Sequence, residues 1–283
     1  MAELWSAASA YEMYMGRWSR PMARRFLEWL VPAGGLDWLD VGCGTGALSR
    51  TLLDWAEPRR VVGVDPSEAF VGFARARVAD ERATFEIGDA RALPVADAAF
   101  DHVVSGLVLN FVPEPERAVR EMVRAVRPGG GVALFVWDYA QGMGLIRQFF
   151  DAARSIDPHA VEHDEGERFT ICRPDALEAA LEAGGLAGVI VEPLEITAVF
   201  ADFEDYWLPF LFGRAPAPAY CMALAPALRA RLRARLESDL APDPDGCIRL
   251  PLRAWAGRGR TPADPGRRVA PSRRLRHLER RFR

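Results

Sequence analysis

Three glycines at alternate positions mark the stretch with the clearest chemistry, Asp40-Val41-Gly42-Cys43-Gly44-Thr45-Gly46-Ala47. Glycine in such a run permits a tight turn and lets a ligand reach backbone N–H groups at a helix N-terminus. The spacing Gly42-x-Gly44-x-x-Ala47 also satisfies a dinucleotide fingerprint, so the loop alone admits a pyrophosphate. Three carboxylates narrow the choice. Asp40 stands at the loop's entrance, where it would repel a pyrophosphate and attract an ammonium group. Asp65 follows Gly46 by nineteen residues, where a carboxylate can accept both hydroxyls of a ribose; it suits either ligand. Asp89, in Gly88-Asp89-Ala90, can accept from an adenine amino group while Ala90 offers its backbone N–H to the ring. Each charge-assisted hydrogen bond is worth about 1.5–3 kcal/mol. Together they describe a ligand with an amino acid at one end and adenosine at the other.

Such residues act together only if the chain brings them to one edge. Short β-type runs alternate with amphipathic helical runs from about residue 20 to 140. Residues 20–31 read as a helix broken by Pro32-Ala33-Gly34-Gly35, 36–41 as a strand and 47–56 as a helix. A second strand spans 60–65; Pro66 and Ser67 then give a good start to a helix over EAFVGFARARVA. Strands follow at 83–89 and 100–109, then a helix at 113–126. That helix carries acids in its first turn and arginines later, as its dipole prefers. Arg127-Pro128-Gly129-Gly130 ends it, and 131–139 is a fifth strand. This alternation predicts an α/β fold: a parallel sheet with helices on both faces. Right-handed crossovers put every strand's C-terminal end on one edge, at Asp40, Asp65, Asp89, Ser105 to Asn110, and Asp138. Beyond residue 140, stretches 144–155, 174–183, 202–212 and 222–240 read as helical. Residues 188–200 read as a strand pair or one long kinked strand, and 248–256 as a final strand. Pro251 cannot donate to a ladder, so pairing there is interrupted or begins after it.

The succession LDVGCGTG, VVGVDPS, FEIGDARALP, FDHVVSGLVLNFVPEPERAVREMVRAVRPGGGVALFVWDY resembles the motif order of class I S-adenosylmethionine-dependent methyltransferases. Within that superfamily it looks closest to the type 11 and ubiquinone/menaquinone-biosynthesis-like group. The resemblance covers roughly residues 36–139, and its specificity comes from four motifs in order at family spacing. It implies a Rossmann-like, seven-stranded, mostly parallel sheet with a reversed last strand, which IRLPLRAWA could supply. It also implies S-adenosyl-L-methionine as cofactor. Asp40, Gly42, Gly44, Thr45 and Gly46 would hold its methionine end. Asp65, with Pro66 and Ser67 beside it, would hold the ribose. Asp89 and Ala90 would take the adenine, and Ser105 would lie near the sulfonium. Tyr11, Tyr14 and Arg17 occupy the stretch that often lids the cofactor in relatives. The expected organisation is a methyltransferase domain over 1–256. Residues 1–35 would be N-terminal cap helices, 36–139 the cofactor-binding half, and 140–256 substrate-side helices and last strands.

A methylsulfonium is already a strong electrophile, so the main tasks are alignment of the acceptor and exclusion of water. A general base is needed only when the acceptor must lose a proton. Asp138, Tyr139, His159 and His163 are the candidates, and none has a partner identifiable in sequence, so no catalytic residue is assigned. His102 lies within a strand and reads as a core or sheet-edge histidine. His159 and His163 have metal-ligand spacing, but Pro158 and the surrounding charge favour a solvated loop, so no metal is expected. Phe203, Tyr206, Trp207, Phe210 and Phe212 fit ordinary helix packing better than a substrate roof. Leu109-Asn110-Phe111-Val112-Pro113 is not the Asn/Asp-Pro-Pro-aromatic signature of exocyclic-amine nucleic-acid methyltransferases. No Pro-Cys dipeptide supports a cytosine-5 mechanism. The remaining acceptor is a small molecule, methylated on oxygen, nitrogen or carbon. Two rival readings are a nicotinamide-dependent oxidoreductase and a cofactor-binding homologue without catalysis.

Composition agrees with these limits. The chain has 283 residues, half of them hydrophobic, enough to bury a full core. All 36 basic residues are arginine, which removes any lysine Schiff-base or lysine-base chemistry. Four scattered cysteines with no CxxC pair support neither a disulfide framework nor a cysteine zinc site. The net charge of −3 divides into +8 over residues 257–283 and −11 over the rest. An acidic body argues against nucleic acid as the core's partner. Residues 257–283 read as a disordered basic tail, better taken as a passive extension than as a nucleic-acid tether, since no aromatics interleave the charge. No apolar run approaches the ~20 residues of a membrane span. The N-terminal stretch lacks an apolar core of signal-peptide length, so a cytoplasmic protein is expected.

Overall fold

The structure, a computed structural model, describes residues 12–212 and 215–262. A π-helical turn, Glu12–Gly16, enters α1 (Arg17–Leu30), whose Trp18, Met22 and Phe26 form a buried stripe four residues apart. The first βα units follow as β1 (Asp37–Val41), α2 (Ala47–Trp55), β2 (Arg60–Asp65) and α3 (Glu68–Arg77). Ser67 caps α3, its hydroxyl accepting from the Phe70 N–H at 3.3 Å. Next come β3 (Ala83–Ile87), β4 (Phe100–Gly106), α4 (Pro115–Ala125) and β5 (Val126–Trp137). Three helices follow, α5 (Gly144–Ile156), α6 (Glu165–Arg168) and α7 (Pro174–Ala183), then β6 (Ala187–Phe200). The chain continues through α8 (Phe203–Trp207), α9 (Pro216–Ala223), α10 (Pro226–Asp239) and β7 (Ile248–Arg260).

The seven strands form one sheet in the order β3-β2-β1-β4-β5-β7-β6. β1 to β5 pair in parallel, and β7 runs antiparallel to both β5 and β6. The Rossmann-like α/β sheet with a reversed last strand is therefore present, and that strand is the one the sequence offered. β1 is buried at every position, as a central parallel strand covered on both faces requires.

Several boundaries differ from the sequence reading, each for a local reason. Arg127-Pro128-Gly129-Gly130 does not break the chain; β5 already begins at Val126. The register between β4 and β5 shifts between Phe100 and His102, and this irregularity absorbs the proline and glycines. A Cβ on Gly130 would stand 2.7 Å from the Asp101 carbonyl. Residues 187–200 form a single strand that accommodates Pro193 because β6 is the sheet edge. β7 runs straight through Pro251, which pairs with Thr197 of β6, whereas pairing with β5 begins only at Ala254. Pro251 thus sits where β7 has a strand on one side alone. The 222–240 helix is two helices, divided before Pro226.

The basic stretch placed outside the fold from residue 257 also begins too early. Gly257–Arg260 belongs to β7 and pairs with both neighbours. Its alternation is functional packing rather than low complexity. A Cβ on Gly257 would meet Leu181 of α7 at 2.5 Å, and one on Gly259 would meet Leu186 at 2.8 Å. Arg258 stacks over Trp29, and Arg260 donates to the Gly129 carbonyl at 3.2 Å. The remaining tail, from 263, lies outside the described residues.

One ion cluster ties the later helices together. Asp164, fully buried, accepts from Arg147 at 2.9 Å, from Arg154, and from the Gly166 N–H at 2.9 Å. Removing one partner of a buried pair typically costs about 3–5 kcal/mol. Asp164→Asn is therefore expected to lower unfolding free energy by roughly that amount in urea titration. An unchanged midpoint would show that α5 and α6 are held by apolar packing alone.

Candidate active site

The strand ends define a cavity of about 500 Å³ at the C-terminal edge of β1, β2, β3 and β4. Its floor is the glycine loop. Gly42, Gly44 and Gly46 all have positive φ, at 75°, 52° and 86°, which strains any residue bearing a Cβ. A Cβ on Gly42 would also lie 2.5 Å from the Val108 side chain. The loop is tied to β2: the Gly42 and Cys43 N–H groups both donate to the Val64 carbonyl, at 2.7 and 3.1 Å.

Asp65 completes the tie. Its carboxylate accepts from the Gly44 N–H at 3.0 Å and from the Ser67 N–H at 2.9 Å. Burial raises its pKa, opposed by those two N–H groups. Gly42, Gly44, Thr45, Asp65, Pro66, Ser67, Asp89 and Ala90, named from the sequence as cofactor-binding, all line the cavity. Gly46 stands just behind as the residue before α2, closely packed on Val78.

Asp40 is buried beneath the loop rather than in the cavity wall. One of its oxygens accepts from the Ser49 hydroxyl at 2.6 Å; the other has no partner among the described residues. Burial pushes this carboxyl up to about 7, against the Ser49 hydrogen bond. Asp89 faces the cavity but is already engaged. Arg91 grips it at 2.6 and 3.0 Å and holds its pKa down to about 2.

Three expected contacts lie elsewhere. Ser105 is buried and donates to the Val41 carbonyl at 2.7 Å, bracing β4 against β1. Arg17 forms a two-point ion pair with Asp205, at 2.7 and 3.0 Å, and lies over Trp18 and Phe200. It therefore pins α1 to α8 and the end of β6. Tyr14 is buried edge-on to Phe210, with ring centroids 5.7 Å apart. Tyr11 lies outside the described residues.

The remaining candidates scatter. Asp138 is buried against Arg253 at 2.8 Å. His159 is exposed beside Glu162, and His163 packs on the Tyr220 ring. No group of metal ligands forms among the described residues. His102 stacks on Trp38, and burial pushes its imidazole down to about 4, a packing role as read from sequence. Phe203, Tyr206, Trp207 and Phe210 pack on one another, while Phe212 is exposed. No helix of the described residues is long and apolar enough to cross a membrane.

The sequence reading missed most of the apolar wall. Phe70, Leu107, Val108, Phe111 and Phe135 line the cavity, with Ser19 and Ala23 of α1. Leu107 follows β4 at φ 64°, a strained conformation for a leucine, held by its N–H on the Phe135 carbonyl at 2.8 Å. Nothing in its residue type announces this; the close meeting of β4 and β5 imposes it.

With this sheet order and glycine-loop cavity, residues 39–134 match the family model described as a methyltransferase domain. This stretch is thus similar to methyltransferase domains. A demethylmenaquinone methyltransferase of Roseiflexus castenholzii is 40% identical over 95 residues, 34% of this chain and 40% of that protein. A solved putative methyltransferase from Bacillus halodurans shares the fold with TM-score 0.56 at 16% identity, covering 85% of this chain and 99% of that one. Haemonchus contortus phosphoethanolamine N-methyltransferase 2, solved in complex with S-adenosyl-L-methionine, shares it with TM-score 0.56 at 18% identity, covering 91% and 57%. The chain spans about half the length of the curated relatives it matches.

Asp40 gives a pH signature. Its carboxyl titrates near 7 when folded and near the ordinary ~4 when unfolded, so between these values the folded state binds more protons. Stability from this group is therefore present at low pH and lost as pH rises from about 4 to 7. Urea titrations of wild type and Asp40→Asn at pH 4 and pH 8 measure it. Wild type is expected to lose about 2–4 kcal/mol more than the variant over that range. Parallel curves would place the Asp40 charge in contact with water or a cation.

Proposed function

We propose that the protein transfers a methyl group from S-adenosyl-L-methionine to a small-molecule acceptor. The observation that carries this reading is the Asp65 clamp on a glycine loop beside an apolar cavity. The residues fit the cofactor on two structural grounds. The positive-φ glycines leave a cradle that a Cβ on Gly42 would fill. Beneath it, a buried Asp40 oxygen has no partner among the described residues, an acceptor that an ammonium can satisfy and a pyrophosphate cannot. This weighs against the nicotinamide reading, which shares only the loop.

In this reading Gly42, Gly44 and Thr45 hold the methionine end, with Gly46 setting the start of α2. Asp65 holds the ribose through oxygen lone pairs beyond those used by Gly44 and Ser67. Ala90 offers its backbone to the adenine, and Arg91 sets how much of Asp89 remains available to it. Phe70, Leu107 and Phe111 exclude water from the reacting centre. When bound, the cofactor supplies an electrophilic methyl group; the chain's own work is alignment and desolvation. Ser105, Tyr14 and Arg17 act as supports for this wall rather than as cofactor contacts.

One relative is named for demethylmenaquinone and one structural neighbour for phosphoethanolamine. Their acceptors differ in chemistry, so the acceptor here is argued from this chain's own wall, which favours a small, largely apolar molecule. Calorimetry tests the cofactor. S-adenosylmethionine and S-adenosylhomocysteine are expected to bind, and NADH is not. Asp65→Ala is expected to weaken binding by about 2–4 kcal/mol through loss of a charged hydrogen-bond pair, partly rescued by water. Absence of heat with either sulfur ligand at millimolar concentration would end the proposal. An unchanged affinity in the variant would move the ribose away from Asp65.

A further inference from the structure

Asp89 and Arg91 both line the cavity, and the turn that carries them is fixed from several directions. The Gly88 N–H donates to the Asp65 carbonyl at 3.1 Å, and the Ala92 N–H to the Asp89 carbonyl at 3.0 Å. A Cβ on Gly88 would stand 2.6 Å from Pro94. Within this turn Arg91 folds back on Asp89. Asp89 Oδ1 accepts from the Arg91 backbone N–H at 2.8 Å and from Nε at 3.0 Å; Oδ2 accepts from Nη2 at 2.6 Å. The Nε–H is shared with Oδ2 at 3.2 Å.

The donor count leaves a remainder. A carboxylate offers about four lone-pair sites. Among the described residues Arg91 alone brings hydrogens to this one, and it brings three: the backbone N–H, the Nε–H and one on Nη2. One acceptor site therefore stays open, on Oδ2, the oxygen that receives a single full bond. The Asp89 side chain is 44% exposed and lines the cavity, so no neighbouring group has taken that site. The ion pair holds the carboxyl down to about 2, so near neutral pH Asp89 only accepts.

The guanidinium has a second attachment. Its Nη1 donates to Glu114 Oε1 at 3.3 Å, and the Arg117 Nε donates to the Arg91 carbonyl at 3.1 Å. Glu114 stands just before α4 and follows Phe111, Val112 and Pro113, which also line the cavity. Arg91 thus straps the turn after β3 to the loop after β4. Ion pairs as exposed as these add little stability. A planar fork committed to a carboxylate in a cavity wall acts on orientation instead.

We propose that Arg91 is a specificity-determining positioning residue: by clamping Asp89 it leaves one fixed acceptor site, which takes the 6-amino group of an adenine and refuses the oxygen of a 6-oxo purine. An exocyclic amine brings a hydrogen to that site. An exocyclic oxygen brings a second acceptor, and both oxygens then lose water without a replacement. An unclamped carboxylate turns about its side-chain bonds and can carry a bridging water, so it discriminates less. Lysine, a compact ammonium, cannot reproduce the two-point grip. This inference rests on the S-adenosylmethionine reading and assigns the selectivity for its base to Arg91.

The test uses calorimetry on the full chain with S-adenosylhomocysteine and its deaminated counterpart, S-inosylhomocysteine. Wild type is expected to favour the amino ligand about tenfold or more, the effect of one charged hydrogen bond. In Arg91→Gln and Arg91→Lys that preference is expected to fall to about threefold or less. Glu114→Gln, which cuts the strap and leaves the clamp, is expected to keep it within about twofold of wild type. The ratio of two ligands on one preparation does not depend on any unfolded fraction, so a poorly folding variant still gives an answer. Equal affinity of wild type for both ligands, an unchanged ratio in the Arg91 variants, or an equal fall in Glu114→Gln would overturn the role given to Arg91. No binding of S-adenosylhomocysteine to wild type would overturn the cofactor reading, and this inference with it.

Discussion

The Asp65 carboxylate is the hinge pin of the site. It receives the Gly44 N–H from one side and the Ser67 N–H from the other. One side chain at the end of β2 thereby fixes the loop after β1 and the start of α3. The Gly42 and Cys43 N–H groups add a second tie through the Val64 carbonyl. Burying a carboxylate is costly, and two short backbone hydrogen bonds offset part of that cost. The rigid loop that results can bring backbone N–H groups to a ligand without paying ordering entropy on binding.

Charge is distributed in depth around this loop. Asp40 lies below it, shielded from water, and its carboxyl stays up near 7. Asp89 lines the cavity with Arg91 clasped to it, and titrates near 2. Two aspartates at the ends of β1 and β3, with β2 between them, thus carry different charges near neutral pH because one is desolvated and the other is paired. The apolar part of the cavity wall, Phe70, Leu107 and Phe111, supplies the low-dielectric surface that makes such charges matter.

The second half of the chain closes the site by packing. Arg17, Asp205, Trp18 and Phe200 lock α1 over the end of β6. Asp164 with Arg147 and Arg154 draws α6 onto α5. Alternate glycines in β7 let α7 lie close on the sheet. These contacts are long-range and mostly structural, yet they decide which side chains stand behind the cavity.

The sequence by itself determined the βα alternation, the glycine loop and the acids at the strand ends. These are set locally: periodicity, turn-forming glycine and capping residues act over a few positions. It therefore located Asp65, Asp89 and the loop, and it named the reversed strand. Only the tertiary structure decided which of the strand-end groups face the cavity. Ser105 sits at the right strand end but turns into the sheet to brace Val41, and Arg17 finds a carboxylate 188 residues away. The arginine-glycine stretch after Trp255 looked like tail because its meaning lies in Leu181, Leu186 and Trp29, which pack on it from distant elements. Likewise Glu165 is one acid among several until the fold removes it from water. Such pairings depend on which surfaces meet, and no spacing along the chain encodes them.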